Sequence, residues 1–134
     1  MSAIGLLSGC SWLGLESAPE PAAPAVVAET VTATGQFVGE SGRIARGSAE
    51  VVLRDGQWIV RLSEDFFLDG GEEPQVVLGK DGVKEEAVLG PLTSYIGRQE
   101  YLLTEGLDIG NYLQVYVWSA KDRVPLARAD LNLL

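Results

Sequence analysis

The chain has 134 residues, enough for one domain with its own core, and 46% are hydrophobic, which excludes a chain disordered throughout. Ten basic residues against nineteen acidic ones leave a net charge of -9, a field that repels nucleic-acid backbones and anionic lipid surfaces. There is no histidine, and the single cysteine and single methionine are Cys10 and Met1. Residues 11–134 therefore lack the usual ligands for zinc, copper, iron–sulfur clusters and haem, and the groups for Ser-His-Asp or Cys-His catalysis. Hard-oxygen metal sites, carboxylate chemistry, Lys and Tyr remain, and no resident cofactor is expected.

Residues 1–14 are small and apolar and contain Leu7-Ser8-Gly9-Cys10. This run resembles the lipobox of bacterial lipoproteins, in which the cysteine is lipidated and becomes the mature N-terminus. The resemblance implies lipid on Cys10 and an extracytoplasmic domain held at a membrane, on its periplasmic or cell-surface face. Ser11, where some inner-membrane-retained lipoproteins carry Asp, favours the outer membrane in an organism that has one. No basic residue and only Ala3 to Leu7 precede the box, so a complete signal peptide would begin upstream of Met1. The apolar run is too short to span a bilayer, which takes about 20 residues.

Residues 15–34 carry Pro19, Pro21 and Pro24 among alanines and read as an extended, disordered linker. Its reach is roughly 60 Å if fully polyproline-like, at about 3.1 Å per residue. All ten basic residues lie from Arg43 onward.

From Gly35 the pattern changes to short β-type runs broken by Gly and Asp. Asp55-Gly56 is a preferred two-residue hairpin turn. Folding there pairs Leu53 with Trp58, Val51 with Val60 and Ala49 with Leu62 on one face, with Trp58 read as core. The other face pairs Glu50 with Arg61 and Val52 with Ile59. Strands are also expected at Gln75 to Leu78, Tyr101 to Thr104, Tyr112 to Trp118 and Val124 to Leu133. In the last, the apolar phase slips near Ala127-Arg128, which calls for a bulge or a bend. No window holds a helical repeat. The expected fold is all-β, a single antiparallel sandwich or barrel-like domain over residues 35–134.

The order of residues then has a family likeness. Gly35-Gln36-Phe37 opens the domain and Gly47-Ser48-Ala49 leads into the hairpin. Leu62 and Asp65-Phe66 precede Gly70-Gly71-x-x-Pro74, then Val76, Leu78, Leu89 and Leu92. Gly97-x-Gln99-x-Tyr101, Leu103, Tyr112, Val115 and Val117-Trp118 follow, and Val124, Leu126, Ala129 and Leu131 close the series. This resembles the DM-thirteen domain family, whose proposed role is electron transfer, over roughly residues 35–132. The family usually has Trp-Cys where this chain has Trp118-Ser119, and that cysteine is the one proposed to carry redox chemistry. A serine hydroxyl cannot cycle through thiolate and disulfide states. The resemblance thus implies the fold more strongly than the activity.

Two further sets of residues are candidate sites. Glu64, Asp65, Asp69, Glu72 and Glu73 place five carboxylates within ten residues, and Asp65, Asp69, Glu72 and Glu73 are weak cation candidates; otherwise they form a solvated acidic turn. The same acids would serve catalysis only if two of them faced each other across a pocket. Tyr112, Tyr116 and Trp118 share one strand phase and form either a ligand face or a second apolar layer. The leading expectation is a non-catalytic, membrane-tethered module that binds an envelope protein, a glycan or a small ligand. The alternative is an electron-transfer or redox-cofactor domain, as the family name implies.

Overall fold

A computed structural model describes residues 28–134. The lipobox, Cys10 and residues 15–27 of the linker lie outside them. Within the described residues the strands are β1 (Glu29–Gly39), β2 (Ala45–Arg46), β3 (Ser48–Arg54), β4 (Gln57–Leu62), β5 (Phe67–Leu68), β6 (Pro74–Gly79), β7 (Val83–Pro91), β8 (Gln99–Leu102), β9 (Gln114–Ser119), β10 (Val124–Asp130) and β11 (Asn132–Leu133). A 3₁₀ turn spans Ile109–Asn111.

The hairpin forms as its sequence dictates. Asp55 and Gly56 take φ of 50° and 80°, the left-handed pair that a type I′ turn needs. Ala49 lies opposite Leu62, Val51 opposite Val60, Leu53 opposite Trp58, and Glu50 opposite Arg61. The inward residues Ala49, Val51, Val60 and Leu62 are buried. Burying a Val or Leu side chain stabilises the fold by about 1.5–3 kcal/mol.

The sheet begins earlier than expected. β1 starts at Glu29, inside the segment read as linker, and Ala33 is buried in the core. Thr30, Val31, Thr32 and Thr34 are β-branched and suit a pleated surface. The Thr32 and Thr34 hydroxyls donate to the carbonyls of Val51 and Ala49. The residues from Glu29 to Thr34 therefore belong to the domain.

Eight strands pair in the order β7-β6-β9-β10-β1-β3-β4-β8, all antiparallel, and β11 adds to β1. The long β1 joins two halves: Phe37 to Gly39 pair with β10, and Glu29 to Gln36 pair with β3. Gly35 is required where these partners converge, because a Cβ there would lie 2.0 Å from the Asp130 carbonyl oxygen. The result is a nearly closed barrel, which removes most of the unpaired edge that an open sheet would expose. β2 and β5 form a small separate ladder.

Phe37, Leu62, Phe66, Leu78, Val115, Val117 and Leu126 fill the interior, with Phe37 and Phe66 edge-to-face at 5.3 Å. The expected phase slip is present, one residue from where the pattern placed it. Val117 pairs with Ala127 while Trp118 pairs with Pro125, leaving Leu126 as the extra residue. The bulge lets consecutive Leu126 and Ala127 both reach the core.

No ladder joins β7 to β8, and side chains of β8 hold the loop that connects them. Gln99 Oε1 accepts from the backbone N–H of Thr93 and Ser94, and its amide donates to the carbonyls of Ser94 and Gly97. The Tyr101 hydroxyl donates to Gln99 Oε1 and accepts from the Thr93 N–H. Both side chains are buried, and the network satisfies their polar atoms.

Candidate functional site

The clearest concavity opens where β1 begins and the chain ends. It is lined by Thr32, Ala33, Val51, Trp58, Ile109, Gly110, Tyr112, Leu113, Leu131 and Leu133, and its volume is about 280 Å³. Five separate stretches of chain meet there. In β1, Val31 pairs with Val52 and Ala33 with Val51, so Thr32 is a bulged extra residue and lies in the wall beside Ala33. The Asp108 carboxylate accepts from the Gly110 N–H at 2.9 Å and caps the 3₁₀ turn that presents Ile109. The Leu131 N–H donates to the Leu113 carbonyl, and Leu133 pairs with Ala33, which holds both leucines at the rim.

The wall contains no carboxylate, lysine or arginine, and most of its surface is hydrocarbon. Thr32 Oγ1 donates to the Val51 carbonyl at 3.3 Å. Burial raises the Tyr112 hydroxyl above the ordinary tyrosine pKa, helped by the nearby charges of Glu86 and Asp108. A guest would meet hydrocarbon on nearly every side.

Two expected placements change. Trp58 is half-buried rather than core, because it sits one position from the hairpin turn and forms one side of the pocket. Tyr112 does not share a face with Tyr116 and Trp118. It caps the 3₁₀ turn, ahead of the start of β9 at Gln114, and packs against the interior cluster at the barrel end.

Tyr116 and Trp118 lie on the outer face, across from Val77 and Gln75. They are only 6% and 8% exposed. The Arg123 guanidinium stands 5.3 Å over the Trp118 ring and pairs with Glu85. Trp118 Nε1 is buried without a hydrogen-bond partner among the described residues. This pair forms an outer apolar layer over β6.

Ser119 is fully buried. Its hydroxyl donates to the Glu72 carbonyl at 2.6 Å and accepts from the Asp122 N–H at 2.9 Å. It ties the Gly70-to-Glu73 loop to the β9–β10 turn. In that loop the Glu72 carboxylate pairs with Lys121 at 2.9 Å, which lowers its pKa. Asp65 accepts from the Ser63 hydroxyl. Among the described residues no three acidic side chains converge as a metal site would require.

The pocket had no linear signal. Its lining comes from positions 32, 33, 51, 58, 109, 110, 112, 113, 131 and 133, and no spacing in the chain links them. Compared with known protein families, curated proteins and solved structures, the chain matches none.

Proposed function

We propose that the chain is a non-catalytic binding module of the bacterial cell envelope, anchored by lipid on Cys10, that takes a small apolar ligand in the pocket at the barrel end. One observation carries the binding half: an apolar cavity of about 280 Å³ opens to the surface of an otherwise well-filled barrel. It is close to the range of ~300–1,000 Å³ typical of ligand pockets. The lipobox-like Leu7 to Cys10 and the Pro/Ala segment support the tether and the extracytoplasmic location. The electron-transfer activity implied by the DM-thirteen resemblance would have to run without the family cysteine. The Ser119 hydroxyl at that position is committed to Glu72 and Asp122.

Titration with N-phenylnaphthylamine tests the binding half. Saturable binding at one site is expected, with energy transfer from Trp58 and weaker binding in Leu113→Glu. A linear, unsaturable signal would sink the reading. Metabolic labelling with a fatty acid tests the anchor, using the gene with its native upstream codons. The wild type should be marked and Cys10→Ala spared; an unlabelled wild type removes the anchor.

A further inference from the structure

From the pocket's wall and rim we infer that its natural guest is the single hydrocarbon chain of an amphiphile, buried tail-first with the polar end left in solvent. The inference rests on the pocket being the binding site and concerns which chemistry it selects.

The wall is mostly hydrocarbon and offers a guest few hydrogen-bonding groups. Thr32 Oγ1 is spent on the Val51 carbonyl, which leaves the Tyr112 hydroxyl and the Trp58 indole N–H as the side-chain polar groups in a lining that is otherwise hydrocarbon. A polar ligand would leave its own donors and acceptors unpaired inside, which is costly. The buried part of the guest is therefore hydrocarbon. Its size follows from the volume: about 280 Å³ is roughly twice the ~150 Å³ cavity that admits a benzene.

The rim argues for a chain over a compact ring. Leu113 is 50% exposed, and Leu133 and Leu134 are 88% and 77% exposed. Of these, Leu113 and Leu133 belong to the pocket lining. The apolar track thus continues outward past the cavity. A compact aromatic would fill the cavity and leave this track in water, whereas a chain longer than the cavity would cover both. The track is also held in place: Leu133 is in register with Ala33, and the Leu134 N–H donates to the Thr32 carbonyl.

The test is a homologous series of alkyl maltosides, each below its micelle concentration, titrated into the full chain with Trp58→Phe as the control for the fluorescence signal. Affinity should rise about fourfold per added methylene, the equivalent of ~0.8 kcal/mol, and then level off once the chain exceeds cavity and rim. Leu133→Glu, at an exposed position, should weaken the longer chains at least tenfold and leave thermal stability unchanged. Flotation with phosphatidylcholine vesicles separates two sources of the same chemistry. Co-flotation that Leu133→Glu abolishes assigns the chain to a bilayer lipid, and binding confined to the monomeric series assigns it to a free amphiphile; both support the inference. Affinity independent of chain length, or binding of N-phenylnaphthylamine with no binding of any maltoside, overturns it. The latter result would leave the binding module itself standing.

Discussion

The Tyr101 hydroxyl donates to Gln99 Oε1 at 2.6 Å, and the two side chains together hold the 93–97 loop against β8. Residues two apart on β8 share one face, and that face looks inward. A glutamine and a tyrosine are tolerated there because every polar atom has a partner in the 93–97 loop. Gln99→Ala should cost about 3 kcal/mol, because it strands several buried donors and acceptors together. Tyr101→Phe should cost about 1 kcal/mol, because the Thr93 N–H keeps Gln99 as an acceptor. Urea denaturation of both variants checks the order, and equal costs would show that the two do not act as one latch.

Ser119→Ala should lose about 1–3 kcal/mol, since the Glu72 carbonyl and Asp122 N–H would be left unpaired in a closed site. Ser119→Cys, made in a Cys10→Ala background, should also be destabilised, as a thiol is a weak donor and acceptor. Its sulfur should resist a thiol reagent in the folded state and react once unfolded, because the position is fully buried. Fast labelling of the native variant would show that the position is open to chemistry.

Acid should weaken the fold through the outer ion-pair network. Glu29 bonds Arg54 and Arg61, Glu100 bonds Arg54, and Glu50 bonds Arg61. Arg61 and then Arg54 hold the Glu29 carboxyl below its usual 4.5, and Arg54 does the same for Glu100. A depressed carboxylate contributes its full stability above the unfolded value and loses it as pH falls through the folded one. The melting temperature should therefore decline below about pH 4.5. Glu100→Gln should flatten that decline, and 1 M salt should do so in part, because the carboxylates stay about a third exposed. A variant with the wild-type pH profile would remove the network as the cause.

The position of β1 predicts a sharp boundary. A chain beginning at Ala28 should melt like the full protein. One beginning at Gly35 would lose the Glu29-to-Thr34 pairing with β3, the β11 pairing and the buried Ala33. Several kcal/mol should go with them, at ~4–8 °C of melting temperature per kcal/mol. Circular dichroism melts of the two chains decide it.

The hairpin, the all-β class and the bulge near Ala127 were legible before any coordinates. Each rests on neighbours in sequence: a left-handed Asp55-Gly56 turn, period-two alternation on either side, and a phase change within one strand. The start of β1 was not: the alanines and prolines just upstream give residues 15–34 a linker's composition, although Thr30, Val31, Thr32 and Thr34 suit a strand. Barrel closure, the Gln99–Tyr101 network, the parting of Tyr112 from Trp118 and the apolar pocket were decided only in three dimensions. They depend on how strands far apart in the chain come to lie side by side. Strand alternation assigns a residue to one face or the other; it does not say which other strand, or whether solvent, that face will meet.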